Sequence, residues 1–215
     1  MRTRFLGVWQ IAAVTTCLTT AACEGPTDPM ERGAARYDQC APCHGTKGEG
    51  KPELAAPPIG GLPRWYVLAQ LDKFRIGARG AHLQDSPGLR MRTMALTMPT
   101  ARDVEVVAHY VSSLPRATSA VPTVAGADAA RGKAAFAACT ACHGPDGAGN
   151  PQLNAPPIAG QADWYLLTQL NNFKHGVRGA NPKDTTGSTM KAVAVALDDQ
   201  QVKDLAVFVA AMPRG

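Results

Sequence analysis

An internal repeat constrains the fold of this 215-residue chain more than any other feature of its sequence. Residues 139–190 align with residues 40–91 at an offset of 99 positions (139 − 40 = 99), with 26 of 52 positions identical and no insertion. Such a duplication predicts two domains of one fold in tandem. Each domain has fewer than 100 residues, so by itself it can bury only a modest apolar core.

Each repeat opens with a Cys-x-x-Cys-His motif, first at residues 40–44 and again at residues 139–143. Two thiols at this spacing can add to the two vinyl groups of one porphyrin, and the histidine that follows can ligate the iron. The motifs therefore predict two covalently bound haem c groups and electron transfer as the chemistry. The haems would also supply apolar surface for each domain to bury. The attaching thiols would be Cys40, Cys43, Cys139 and Cys142, and the first axial ligands of iron would be His44 and His143.

A second axial ligand should occur at the same place in both repeats, and Met91 and Met190 meet this condition. Each lies 47 residues after its motif histidine (91 − 44 = 47 and 190 − 143 = 47). Thioether ligation raises the reduction potential of a haem relative to two imidazoles. Met94 is the nearest competitor of Met91, whereas Met98 is predicted to be core. Paired histidine ligation is disfavoured because the remaining histidines are not repeated: these are His82, His109 and His175.

Four aromatic residues and two arginines are also kept at matching positions of the repeat. The aromatic side chains can pack on a haem or hydrogen-bond a propionate, and ordinary helix core is the alternative. The arginines can bind propionates or serve at a turn. These residues are Trp65, Tyr66, Trp164 and Tyr165, together with Arg79 and Arg178.

The chain reads as helical, and the evidence for strands is negligible. An Ala-rich segment precedes each motif, and about 20 residues rich in Gly and Pro follow it as loop. Asp128 is a predicted N-cap and Gly176 a predicted helix stop. The predicted helices are Glu31 to Gln39, Ala129 to Ala138, two that begin near Pro63 and Asp163, and the closing helices Ala101 to Leu114 and Asp199 to Met212.

Residues 1–22 have the parts of an export signal, with a basic start, an apolar stretch and two alanines before Cys23. Their removal would place the protein in the bacterial periplasm. Cys23 is also a candidate for lipidation, which would hold the protein on a membrane surface, and a free thiol is the alternative. Residues 23–30 would then form a tether, 31–116 the first domain, 117–127 a linker and 128–215 the second domain.

The formal net charge of +5 is small and unevenly distributed. Residues 31–116 carry 12 basic and 8 acidic residues (12 − 8 = +4), and residues 117–215 carry 8 and 7 (8 − 7 = +1). A surplus this small, and this diluted by acidic residues, does not suggest nucleic-acid binding, and no nucleic-acid partner is predicted. A positive face on the first domain can steer an acidic redox partner, and scattered solvated charges are the alternative. Its arginines are Arg75, Arg79, Arg90, Arg92 and Arg102.

With these motifs the chain resembles the dihaem class I cytochromes c of the cytochrome c-four type over nearly all of residues 31–215. The resemblance rests on Cys-x-x-Cys-His-Gly, Pro-x-Ile-x-Gly, Tyr-x-x-x-Gln-Leu, and a methionine followed by the helix that contains Leu197 to Ala206. It implies an all-α fold of two tandem class I cytochrome c domains, each wrapped around one covalently attached haem c. It also implies that the carbonyls of Pro57 and Pro156 orient the ligating histidines.

The same resemblance implies a non-enzymatic carrier of single electrons in a bacterial respiratory chain. Its partners would be redox proteins, with a cytochrome bc-type complex or a dehydrogenase as donor and a terminal oxidase as acceptor. The alternative is a cytochrome subunit of a periplasmic dehydrogenase that oxidises sulfur compounds or alcohols. A dihaem peroxidase would need one iron with an open or displaceable ligand, and the symmetric Met91 and Met190 disfavour it.

Overall fold

The chain forms two helical domains with the same order of elements, as its repeat predicts. The computed structural model describes residues 27–117 and 123–213. Within those ranges strand-like pairing is limited to isolated bridges between Lys51 and Ala56 and between Asn150 and Ala155, so the all-α prediction is confirmed. No helix in these ranges is long and apolar enough to cross a bilayer. The predicted signal, residues 1–22, and Cys23 lie outside the described residues.

Five helices build each domain, and short 3-10 turns lie between them. The predicted helices appear with ends within two residues of the expected ones. The first domain contains α1 (Pro29–Tyr37), α2 (Ala41–His44), α3 (Arg64–Arg75), α4 (Ser86–Leu96) and α5 (Ala101–Ser113). The second contains α6 (Ala129–Phe136), α7 (Thr140–His143), α8 (Asp163–Lys174), α9 (Thr185–Val195) and α10 (Asp199–Ala211). The 3-10 turns are Pro52–Leu54, Ala137–Cys139 and Pro151–Leu153.

Most of the longer helices begin where a side chain can accept the free backbone N–H groups of the first turn. Asp128 caps α6 as predicted, and Asp28 caps α1. Thr100 and Asp198 start the closing helices α5 and α10 with capping boxes. Gly176 follows the end of α8 with a φ of 71°, the left-handed conformation that stops a helix at low cost. Local capping therefore sets the N-termini of most of the longer helices.

The sequence patterns do not predict α4 and α9, the helices that carry Met91 and Met190. Their glycine, serine and threonine content lowers helix propensity and obscures the apolar period. Asp85 and Asp184 nevertheless cap them, each accepting the N–H of a glycine three residues later, at 3.0 and 2.9 Å. Both helices pack against the preceding helix, α4 on α3 and α9 on α8. Tertiary packing and a buried cap therefore outweigh weak local propensity here.

The first and last helices of each domain cross at a glycine, α1 on α5 and α6 on α10. A Cβ atom at Gly33 would lie 2.4 Å from the carbonyl oxygen of Val106, and one at Gly132 would lie 2.1 Å from that of Asp204. Only a residue without a side chain permits this approach. Aromatic pairs flank both crossings: Tyr37 with Tyr110 at 5.3 Å between ring centroids, and Phe136 with Phe208 at 5.5 Å.

A buried carboxylate joins the crossing helices of the second domain. The side chain of Asp204 accepts hydrogen bonds from Arg131 Nε at 2.7 Å, from the Asp128 N–H at 2.7 Å and from Gln200 Nε2 at 2.8 Å. The Arg131 hydrogen bond is the main reason that the pKa of Asp204 falls to about 2. Its charged form is therefore favoured by folding.

We expect Asp204→Asn to reduce the acid sensitivity of the second domain. A carboxyl group whose pKa is lower in the folded state contributes stability above its unfolded pKa, near 3.9, and this contribution is lost as the pH falls toward about 2. Denaturation midpoints measured between pH 5 and pH 2 should fall less steeply in the variant. The matched control is Glu105→Gln, because Glu105 holds the same repeat position in the first domain but pairs at a half-exposed site with Arg64. An equal change in both variants would contradict the prediction.

Candidate haem sites

Each motif histidine is buried and held by a hydrogen bond to a proline carbonyl. His44 and His143 have exposed fractions of 5% and 6%. The carbonyl of Pro57 accepts from His44 Nδ1, and that of Pro156 accepts from His143 Nδ1, both at 2.8 Å. With the proton on Nδ1, the lone pair of Nε2 is available to a metal. Burial lowers the pKa of both imidazoles, which favours this neutral form.

The two predicted methionine ligands lie beside these histidines. Met91 Sδ is 3.5 Å from His44 Nε2, and Met190 lines the cavity that His143 lines in the second domain. Met94 is 37% exposed, whereas Met98 packs in the apolar core as predicted. The three unrepeated histidines are exposed and line neither cavity: His82, His109 and His175. Axial ligation by the methionines stays a prediction, now with both side chains at the site.

One motif cysteine of each pair is half-buried and the other is exposed. Cys40 lies at the end of the loop after α1, and burial is the main reason that its pKa rises to about 11. Cys43 is exposed on α2, one residue before the ligand histidine. Cys139 and Cys142 repeat this arrangement. These four thiols are the groups that would attach the two porphyrins.

An apolar cavity lies beside each motif, one in each domain. Each cavity is also lined by the other domain: Trp164 and Tyr165 reach the first, and Pro58 and Tyr66 reach the second. Apolar walls and a buried imidazole both fit a haem. The two cavities meet at the domain interface.

Two buried arginines cross that interface in a nearly symmetric network. Gln70 Oε1 accepts from Arg79 Nη1 at 2.9 Å and from Arg178 Nη2 at 3.0 Å. Gln169 Oε1 accepts from Arg178 Nη1 at 2.7 Å and from Arg79 Nη2 at 3.1 Å. Arg79 also donates to the Tyr165 hydroxyl at 2.8 Å. The repeat therefore builds one shared cluster from an arginine and a glutamine of each domain, to which Tyr165 is also bonded.

This cluster holds two positive charges without a carboxylate in ion-pair contact, among the residues described. Arg79 and Arg178 are 9% and 7% exposed, and each stacks on the phenylalanine of its own domain, Phe74 at 4.6 Å and Phe173 at 4.4 Å. The Nε atom of each is buried and has no hydrogen-bond partner. Buried charges normally require a counter-charge. Haem propionates would meet this requirement, so the cluster fits them better than it fits a simple turn.

The aromatic residues of the repeat lie at the same interface. Tyr66 and Tyr165 line both cavities, and Trp164 lines the cavity of the first domain. Each tryptophan packs edge-on against the tyrosine that follows it, at 5.8 Å between ring centroids, and Trp65 makes this contact without lining a cavity. Haem contact therefore stays a prediction for the two tyrosines and Trp164, while Trp65 fits ordinary helix packing.

Three functional candidates at the interface are not predicted from the sequence: Gln70, Gln169 and Lys73. The glutamines are identical in the two repeats, which was an available signal. Their role, however, is to bridge two arginines from different domains, and a repeat does not show how its copies dock. Lys73 contacts Asp184 and Thr186 of the other domain, and its repeat counterpart is Asn172. Nothing in the sequence distinguishes it from a solvated lysine.

The chain is similar to curated cytochromes over most of its length. It is 32% identical over 183 residues to the thiosulfate dehydrogenase electron acceptor of Thiomonas intermedia, covering 81% of this chain and 78% of that protein. It is 32% identical over 174 residues to the cbb3-type cytochrome c oxidase subunit FixP of Bradyrhizobium diazoefficiens, covering 74% of this chain and 56% of that protein.

Solved structures show the same two-domain fold. Reduced recombinant cytochrome c4 from Pseudomonas stutzeri matches with a TM-score of 0.67 and 29% identity, covering 86% of this chain and 98% of that one. The thiosulfate dehydrogenase TsdBA of Marichromatium purpuratum matches with a TM-score of 0.71 and 32% identity, and the chain spans 40% of its length. The predicted resemblance to dihaem cytochromes of the cytochrome c-four type is confirmed.

The cytochrome c family model matches the chain twice, at residues 30–115 and 129–213. Each match contains one Cys-x-x-Cys-His motif and one of the two cavities. The cofactor prediction is thereby confirmed as two covalently bound haem c groups, one in each domain. The chain belongs to the cytochrome c family and is a dihaem electron-transfer protein made of two cytochrome c domains.

Proposed function

We propose that the protein relays single electrons through two six-coordinate haems. In this proposal His44 and Met91 ligate the iron of the first domain, and His143 and Met190 ligate that of the second. The haem supplies the one-electron couple. The protein residues bind it through the motif thiols, orient the imidazoles through the carbonyls of Pro57 and Pro156, and exclude water with apolar walls. Because protein ligands would occupy both axial positions of each iron, electron transfer is favoured over peroxide chemistry.

The relay crosses the domain interface. The observation that carries this proposal is that each cavity is lined by side chains of both domains, with Tyr66 and Tyr165 common to the two. Arg79 and Arg178 neutralise the propionates there, which lets two anionic haem edges approach each other. An electron that enters one haem can then leave from the other, so donor and acceptor can dock at different domains.

We further propose that the electrons come from a dehydrogenase or a cytochrome bc-type complex and go to a terminal oxidase. The similarity to a subunit of a cbb3-type oxidase supports this acceptor. The similarity to thiosulfate dehydrogenase electron acceptors supports a second candidate function, a cytochrome that serves a sulfur-compound dehydrogenase. The two roles share one chemistry and differ in the partner.

Reoxidation by native membranes tests the acceptor. We expect reduced protein added to membranes that contain a cbb3-type oxidase to be reoxidised in an oxygen-dependent reaction. The control is Met94→Leu, which alters an exposed methionine outside the proposed ligand set and should react at the same rate. Reduction by a thiosulfate dehydrogenase, with stoichiometric co-purification and no reoxidation by membranes, would replace the carrier role by that of a fixed subunit.

We also propose that the protein is exported to the periplasm and anchored there by lipid on Cys23. The proposal rests on the basic and apolar segment that precedes two alanines and this cysteine. Mass spectrometry of the mature N-terminus tests it: acylation of Cys23 supports the anchor, and an unmodified Cys23 eliminates it.

A further inference from the structure

One charged contact breaks the symmetry of the domain interface. Lys73, on α3 of the first domain, forms an ion pair with Asp184 of the second domain at 2.5 Å and a hydrogen bond to Thr186. The repeat places Asn172 at the corresponding position of α8, so no such charge is available in the reverse direction. The pair is well shielded, since the side chain of Lys73 is 15% exposed and that of Asp184 is fully buried.

Asp184 is directly linked to the helix that carries Met190. It is the N-cap of α9 and accepts the Gly187 N–H at 2.9 Å through the same Oδ1 atom that Lys73 contacts. Its other oxygen, Oδ2, is buried and has no hydrogen-bond partner. Burying a carboxylate in this way is costly without a counter-charge. Lys73 therefore supplies from the other domain the charge that this cap requires.

The matching cap of the first domain lacks such a partner. Asp85 starts α4 and accepts the Gly88 N–H at 3.0 Å, but within the described ranges no lysine of the second domain forms an ion pair with it. The charge that each cavity receives from the opposite domain differs in the same sense. Lys73 lines the cavity of the second domain, whereas the residues that the second domain contributes to the first cavity are all uncharged: Trp164, Tyr165, Thr168 and Gln169.

We propose that Lys73 is a positioning residue that reaches across the interface and raises the reduction potential of the haem in the second domain. A fixed positive charge beside a cavity favours the reduced haem, which carries one positive charge less than the oxidised one. The ion pair also holds the cap of α9 and thereby the helix that presents Met190. Removal of the Lys73 charge should therefore lower the potential of the second haem relative to that of the first.

The proposal rests on the axial assignment of Met190, and a pair of substitutions with opposite charge effects tests it. Lys73→Asn installs the residue that the repeat has at Asn172 and should lower the potential of the second haem. Asp184→Asn keeps a good N-cap, removes the negative charge and should raise that potential. A role that only loosens the methionine ligand would shift both variants in the same direction.

The readout is the distribution of one electron between the haems in an equilibrium redox titration of the full protein. For each variant we expect a change of about threefold or more in the ratio of the two singly reduced forms, which is about 28 mV on a scale where tenfold is 59 mV. The control is Lys174→Asn, which removes a lysine from α8 that pairs with exposed Asp199 and lines neither cavity. This control should leave the ratio unchanged.

Two results would overturn the proposal: shifts of the same sign in Lys73→Asn and Asp184→Asn, or ratios within about twofold of the native value in both. The axial assignment is checked separately by the sulfur-to-iron charge-transfer band of the oxidised protein. If the contribution of the second haem to that band is intact in Met190→Leu, the assignment of Met190 fails. If Met190→Leu loses this contribution while the Lys73 pair shows no opposed shifts, only the role of Lys73 fails.

Discussion

Met190→Leu should abolish the sulfur-to-iron charge-transfer band of the second haem and lower its reduction potential by on the order of 0.1 V or more, within the roughly 0.8 V range that axial ligands set. Leucine fills nearly the same volume but offers no lone pair to iron, so the packing of α9 should survive while the ligand is lost. Met91→Leu should have the same effect on the first haem. Redox titration of both variants beside the native protein would then assign one potential to each domain.

Two other methionines serve as controls. Met94 is exposed on the ligand helix α4, and Met98 is buried in the core beyond its end. Met94→Leu and Met98→Leu should keep both charge-transfer bands and both potentials. If Met94→Leu loses a band while Met91→Leu keeps both, the ligand of the first domain would have to be reassigned to Met94.

The ligand set could be predicted because every member appears twice. Thiols, histidine and methionine recur at one offset, and their chemistry permits few other uses. The proline contacts could be predicted only through the family resemblance. Every residue has a backbone carbonyl, so the residue type does not show which carbonyl accepts a hydrogen bond. In the structure those two contacts have the same length, 2.8 Å.

The helices around Met91 and Met190 could not be predicted, because their formation depends on contacts that are distant in sequence. Segments 86–96 and 185–195 have weak helix propensity, and buried caps and packing against α3 and α8 stabilise them. The interface is a second case. Gln70 and Arg178 meet only because the domains dock in one particular way. Domain docking produces no periodic pattern in the sequence from which this contact could be predicted.

A comparison of the two repeats for identical residues does not identify the positions at which the domains differ in function. Lys73 aligns with Asn172, and Glu105 aligns with Asp204, so a search for matching positions passes over all four. Their structural roles are nevertheless distinct, since Lys73 crosses the interface and Asp204 joins α6 to α10. Identity between repeats therefore identifies the machinery that each haem needs, whereas the differences indicate where the two domains diverge.

Gly132→Ala should destabilise the second domain by at least about 1 kcal/mol and up to about 3 kcal/mol, the usual cost of overpacking. The new Cβ atom would lie 2.1 Å from the carbonyl oxygen of Asp204, a backbone atom that cannot rotate away. Helix α6 would have to move off α10, which would weaken the crossing and the Asp204 hydrogen bonds beside it. Gly33→Ala should act in the same way on the first domain, where the corresponding distance to the Val106 carbonyl oxygen is 2.4 Å.

Intrinsic helix propensity alone predicts the opposite change in stability. The sign of the measured change therefore distinguishes propensity from the close helix crossing. Alanine in place of glycine inside a helix is favourable by about 1 kcal/mol when nothing obstructs it, so a loss of stability must come from the crossing. The control is Ala134→Gly, at an exposed position of α6, which should cost about 1 kcal/mol through propensity alone. Urea unfolding, followed by helix content and by haem absorbance, measures each variant. A gain in stability for Gly132→Ala would show that the helices can separate at the glycine at little cost, and the close crossing would then not be what stabilises each domain.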